Sequence, residues 1–220
     1  MGLDFIIAVV IGVFLLLFSV VVHECAHGWM AEKCGDPTAR LLGRITLNPI
    51  KHIDPFFTII MPAMLAFLHL PIFGGAKPVP VNFNNLRSPK RDMIWVAAAG
   101  PVSNLLLVLV TTSIFIFVSR LTAWAVIPLG LFSFIREILI VLIQINLILA
   151  LFNLVPIPPL DGSRIVYGLL PYRYAINYAK LERFGIVIIF LLLWQGGLGW
   201  ISPVIDFITR KILHTATLGL

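Results

Sequence analysis

Charge is what this chain has least of. Only 12% of its 220 residues are Asp, Glu, Lys or Arg, 60% are hydrophobic, and mean hydropathy is +1.02. Soluble domains carry about a quarter charged residues, so a large soluble domain is excluded and an α-helical multi-pass membrane protein is expected. Cysteine is nearly missing as well: Cys25 and Cys34 are the whole complement, which excludes a disulfide framework. Acidic residues are outnumbered 10 to 16, for a net charge of +6. The excess is spread over several connecting segments, with no basic stripe and no aromatic recognition motif. Nucleic acid is therefore not an expected partner, and orientation in a lipid bilayer accounts for the charge. Repeats and low-complexity linkers are absent, and residues 1–220 read as a single membrane-embedded domain.

What is present is a series of apolar runs with a few polar groups set into them. The first, Phe5 to Val22, has no basic residue before it and no cleavage site after it, and reads as a retained membrane helix rather than a signal peptide. It runs into His23-Glu24-Cys25-Ala26-His27. Histidines at this spacing share one face of a helix, so both imidazoles can reach one zinc ion, with Glu24 beside them as a general base. Burying such groups among aliphatic side chains costs about several kcal/mol unless a metal or partners satisfy them. Packing between helices, or a proton relay in a transporter, are the other uses of polar groups at such a place. Cys25 lies off the shared face and reads as a small packed residue. A hydrolytic zinc site takes three protein ligands and leaves one position open, so a further His, Asp or Glu is needed. Asp161 is the strongest candidate; it could equally N-cap the helix that begins at Gly162-Ser163.

About four to six membrane segments are expected. The first covers residues 5 to about 30, another about 93 to 118 with Pro101 inside it, and a third about 136 to 154, ending at Pro156-Ile157-Pro158-Pro159. Residues 184–194 and 204–213 are shorter apolar pieces, and 162–183 read as an interfacial helix and loop. Short β-like surface pieces are expected near residues 40–50 and 76–82. The run 53–73 is interrupted by Pro55, Pro62 and Pro71 and either crosses or re-enters.

The Lys and Arg residues distinguish those two paths. They fall in five groups: Lys33, Arg40, Arg44 and Lys51; Lys77, Arg87, Lys90 and Arg91; Arg120 and Arg136; Arg164, Arg173, Lys180 and Arg183; Arg210 and Lys211. A crossing at 53–73 divides all 16 evenly between the two sides. A re-entrant 53–73 collects the first, second and fourth groups on one side, and the positive-inside rule favours this arrangement. The ends of the first and third spans then share the cytoplasmic face.

Asn153-Leu154-Val155-Pro156, followed by Asp161-Gly162, is a specific pattern, N-x-x-P-x(4)-D-G. Together with His23-Glu24-Cys25-Ala26-His27 it resembles the site-2 protease family of intramembrane zinc metalloproteases. Gly43-Arg44-Ile45-Thr46-Leu47-Asn48-Pro49, His52-Ile53-Asp54-Pro55, Pro78-Val79-Pro80-Val81-Asn82 and Ala99-Gly100-Pro101 with Asn104 add to the resemblance, which covers about residues 20 to 170. It implies a peptidase with one zinc ion per chain held by His23, His27 and Asp161, and Glu24 as general base. It also implies an oxyanion or substrate-backbone contact from Asn153, whose other reading is a helix C-cap. Asn104 and His52 are candidates for the site or, respectively, for an interhelical bond and an ordinary loop position. The implied substrate is a transmembrane protein or peptide, unwound locally and paired with the extended pieces near 40–50 and 76–82. No PDZ-like insertion or regulatory domain is apparent. The likeness is thus to a short prokaryotic branch in the cell membrane, with substrate choice left to the membrane core or to a separate adaptor.

Overall fold

The computed structural model describes residues 2–70, 74–124 and 126–217. In chain order its elements are α1 (Leu3–Lys33), the single turn α2 (Thr38–Leu41), a π-helical segment Pro55–Ile60 continuing into α3 (Met61–Phe67), α4 (Pro89–Ala123), α5 (Leu129–Asn153), α6 (Asp161–Leu169), α7 (Tyr172–Ala179), α8 (Gly185–Trp194) and α9 (Ile201–Thr217). Among the described residues three helices, α1, α4 and α5, are long and apolar enough to cross a membrane, fewer than the four to six segments expected from the sequence. At 1.5 Å per residue, α5 with its 25 residues spans about 37 Å, against a hydrocarbon core of about 30 Å. Their outer faces stay apolar and uncovered: Phe14 is 66%, Leu109 63% and Leu129 77% exposed. Such surfaces associate in water and are solvated by lipid tails.

α4 is the central helix and packs along α1, α5 and α6. Pro89 opens it, and Asp92 closes its first turn by accepting from Ser88 N through Oδ2 while donating its own N–H to Ser88 O. Farther along, Val108 of α4 meets Ile143 and Leu147 of α5 and Ile201 and Ile205 of α9. Nearer its end, Phe115 and Leu139 are covered by Ile212 of α9.

The β-like pieces expected near 40–50 and 76–82 are not strands; the described residues contain none. Residues 38–41 wind into a helical turn, and Pro49–His52 into a 3-10 turn capped by Asn48, whose Oδ1 accepts from Ile50 N at 3.1 Å. Residues 75–82 form an irregular strap. Pro78 and Pro80 remove two of the N–H groups a ladder would need. Others are committed elsewhere: Lys77 N donates to His52 O (2.8 Å), Val79 N to Glu24 Oε2 (2.7 Å) and Asn82 N to Asp36 Oδ2 (2.6 Å). Arg44 Nη2 adds a bond to Lys77 O (2.9 Å).

Asp36 is the clasp at one end of the strap. It is fully buried and also accepts from Thr38 and from Asn85 Nδ2 (2.9 Å). Burial pushes its carboxyl up, but the bonds from Thr38, Asn85 and Asn82 outweigh this and hold it below the ordinary carboxylate range. Its contribution to stability is therefore in place at neutral pH and is lost in acid, as pH falls through that lowered value.

The described part of the run 53–73 is short and folds back toward its own start; residues 71–73 lie outside the described residues. Asp54 caps its helical part by accepting from Phe56 N and Phe57 N (2.9 Å each). Pro55–Phe67 then covers only about 20 Å, too little to cross. Its two ends meet: Gly75 N donates to Phe57 O (3.1 Å) and Thr58 Oγ1 to Gly75 O (2.7 Å). Arg87 N donates to Cys34 O (3.0 Å), tying the exit of α1 to the entry of α4, and Lys90 Nζ reaches Leu170 O beyond α6. Three of the five basic groups thereby share one face, and Arg120 and Arg136 lie at the other ends of α4 and α5.

Single cysteines at Leu42, Asn84 and Arg173, in a chain with Cys25 and Cys34 replaced by Ser, are expected to react with an impermeant maleimide from the same side of sealed vesicles. A cysteine at Trp124 is expected to react from the opposite side. Labelling of Leu42→Cys and Asn84→Cys from different sides would show that 53–73 crosses.

Candidate metal centre

α1 delivers two histidines one helical turn apart, His27 about 9 Å and His23 about 15 Å inside its C-terminal end at Lys33. Both are buried, His23 at 6% and His27 at 9% exposure. Each is oriented by α4. His27 Nδ1 donates to the Val96 carbonyl (2.7 Å), which can only accept, so the proton is on Nδ1 and the lone pair on Nε2. His23 Nδ1 is 2.6 Å from Asn104 Oδ1 and donates to it, with the same result. The two Nε2 atoms face each other at 3.0 Å.

Asp161 completes the group, with Oδ2 at 3.1 Å from His23 Nε2 and 3.2 Å from His27 Nε2. It is the first residue of α6 and not its cap: Leu160 holds the cap position, and no side chain caps this helix. What places it is the turn 154–160 after α5, where Val155 N returns to Phe152 O and Leu160 N to Ile157 O. Gly162 lets α6 close on that turn, since a Cβ there would lie 2.6 Å from Val155 O and closer still to Leu154 O.

The donor chemistry fits a metal ion. Asp161 Oδ2 is buried without a hydrogen-bond donor, and both facing nitrogens carry lone pairs. A single proton serves one pair of such atoms, whereas a central cation serves all three. Bonds of about 2.0–2.1 Å in a tetrahedron give ligand separations of about 3.3 Å, close to those seen, and a mixed nitrogen and oxygen set is what zinc accepts. His23, His27 and Asp161 are the only such cluster among the described residues. Gly100 of α4 closes one side. A Cβ there would fall 2.6 Å from His23 Nε2 and closer to His27 Nε2.

The remaining sequence candidates lie around this group. Glu24 is held by the strap, its Oε2 accepting from Val79 N at 2.7 Å. Since Pro78 and Pro80 have no N–H, Val79 supplies the one backbone donor in that stretch. Asn153, at the end of α5, donates from Nδ2 to Leu149 O (2.9 Å) one turn back in its own helix, and no hydrogen bond joins it to the three clustered residues. Cys25 turns away and donates to Thr46 O (3.2 Å). Buried His52 also donates to Thr46 O (2.9 Å) and supports the strap. Asn104 is the one of these candidates with a hydrogen bond to a cluster residue, His23. Val96 O and Val79 N were invisible to sequence reasoning because they are backbone groups. Gly100 and Asn104 carried a signal, a small and a polar residue inside an apolar run.

Comparison with known proteins agrees with this chemistry. The model of Peptidase family M50 matches residues 11–135 and 130–195. A candidate zinc metalloprotease called YwhC, of Bacillus subtilis (strain 168), is 40% identical over 185 residues, covering 84% of this chain and 80% of that protein. Another candidate zinc metalloprotease, Rip2 of Mycolicibacterium smegmatis, is 28% identical over 192 residues, covering 83% and 68% respectively. No solved structure matches the chain.

Gly100→Ala tests the cradle. The added methyl competes with the imidazoles for space, an overpacking that costs about 1–3 kcal/mol. The variant is expected to lose zinc on dialysis, measured by elemental analysis, while keeping its helical circular dichroism. Retention of zinc at the wild-type level would refute the close approach.

Proposed function

The chain belongs to peptidase family M50, the site-2 protease family of zinc metallopeptidases, and we propose that it hydrolyses peptide bonds within or near transmembrane segments of membrane proteins. His23, His27 and Asp161 hold one zinc ion, Glu24 is the general base, and Asn153 steadies the substrate. The observation that carries this reading is the meeting of two imidazole nitrogens and a carboxylate oxygen within 3.0–3.2 Å, beside Glu24.

Zinc, when bound, polarises the scissile carbonyl and brings the acidity of water into the neutral range. Glu24 does the proton work: with Oε2 held by Val79 N–H, Oε1 takes the proton of the attacking water and passes it to the leaving amine. Asn153 acts by releasing Leu149 O and turning its Nδ2 to the oxyanion or to the substrate backbone. Hydrolysis needs water here, and His27 lies about 9 Å inside the end of α1 that carries Lys33.

A helical substrate pairs its own backbone groups, so it must unwind before its peptide bond can enter. The strap, joined to the centre through the Val79 N–H bond to Glu24, lies beside the site and gives an unwound segment a surface to lie along. By the positive-inside rule the face that gathers three of the five basic groups is cytoplasmic, in a prokaryotic cell membrane. Substrates are chosen by the membrane core itself or by a separate adaptor protein.

Glu24→Gln is expected to keep zinc and to slow cleavage of a transmembrane model peptide by about 10²–10⁴-fold, the usual share of general base catalysis. Asp161→Ala is expected to lose both zinc and activity. Undiminished cleavage by Glu24→Gln would sink the mechanism, and unchanged zinc in Asp161→Ala would remove that residue from the ligand set.

A further inference from the structure

Behind His23 the polar groups form a single file across three membrane helices. Asn104 Nδ2 of α4 donates to Asn146 Oδ1 of α5 (2.8 Å), and a longer contact runs from the same nitrogen to Ser19 O (3.5 Å). Asn146 Nδ2 donates to Ser19 Oγ of α1 (2.9 Å) and to Leu142 O (2.8 Å). Ser19 Oγ donates to Leu15 O (2.8 Å). Ser19, Asn104 and Asn146 are all at 0% exposure, so water does not complete their bonding.

Two backbone carbonyls, Leu15 O and Leu142 O, give this file a direction, because a carbonyl accepts and never donates. Leu15 O takes the Ser19 hydroxyl proton, which leaves Ser19 Oγ to accept. The Asn146 nitrogen, facing Ser19 Oγ and Leu142 O, is a donor on both sides, so Asn146 Oδ1 faces Asn104. The Asn104 nitrogen must then point to Asn146, and Asn104 Oδ1 to His23. Turning either amide around sets donor against donor or acceptor against acceptor in a site without water. His23 can satisfy Asn104 Oδ1 only with a proton on Nδ1, and that puts its lone pair on Nε2, facing His27 and Asp161.

We infer that Asn146, held by Ser19 and Leu142 O, is a positioning residue for metal binding: it fixes the Asn104 amide and through it the His23 tautomer that can ligate. The inference rests on the zinc site proposed above. Because the file takes one residue from each of α1, α4 and α5, it exists only when those helices are packed, and it makes the metal site depend on their assembly. The competing role for Asn146 is plain interhelical adhesion.

The test measures zinc affinity by chelator competition, and the thermal midpoint of zinc-stripped protein, on the full chain in detergent. Asn146→Leu is expected to weaken zinc binding about 10–100-fold, as loss of an outer-shell partner does. Asn104→Asp supplies two acceptor oxygens, so it receives the His23 proton whichever way it is turned. In that background Asn146→Leu is expected to leave zinc affinity unchanged, whereas in the wild-type background it lowers both zinc affinity and the stripped midpoint. Ser19→Ala, a milder change for use if Asn146→Leu does not fold, is expected to follow the same pattern at smaller amplitude. Equal weakening in both backgrounds, or a lowered midpoint with unchanged zinc affinity in the wild-type background, would overturn the positioning role and leave adhesion. Failure of the wild-type chain itself to bind zinc overturns the site as well, and is read before any variant.

Discussion

Three lone pairs cannot sit within about 3 Å of one another in a buried site without positive charge between them, and much of this molecule serves to hold His23, His27 and Asp161 in that position. One helix brings the histidines, and a second turns their protons away, through the carbonyl of Val96 and the amide of Asn104. Asp161 arrives on a short helix whose approach depends on Gly162 having no side chain. Gly100 matters in the same way on the opposite side. The site is thus formed as much by what α4 and α6 omit as by what they contribute.

The strap from 75 to 82 links this centre to the membrane surface. Asp36 and Asn82 fasten one end, His52, Arg44 and Lys77 the other, and between them a single N–H flanked by two prolines holds Glu24. A regular strand would have spent that N–H on a ladder. The proline pair prevents this and also keeps the segment extended, so the irregularity leaves a backbone donor to hold a carboxylate side chain.

Lipid sets the terms for everything else. α1, α4 and α5 leave apolar faces uncovered because hydrocarbon solvates them, while Ser19, Asn104, Asn146 and Ser119, buried between them, are bonded to one another or to helix carbonyls. Pro55–Phe67 is bound by the same constraint: the helical stretch is too short to cross, and the chain beyond it returns to its beginning through Gly75, Phe57 and Thr58.

The sequence by itself determined the class of molecule, the pairing of His23 with His27 and the place of Glu24 between them, because hydropathy and helical spacing are local properties. The N-x-x-P-x(4)-D-G pattern named Asp161, and the distribution of Lys and Arg favoured a re-entrant 53–73. The expected strands failed because alternation of side chains says nothing of where backbone N–H groups find acceptors; prolines and the neighbouring Glu24 and Asp36 carboxylates decided that. Only the tertiary structure decided the proton positions on the imidazoles, since these depend on acceptors 69 and 81 residues away in the chain, and on a serine and an asparagine 127 residues apart that no local pattern could have paired.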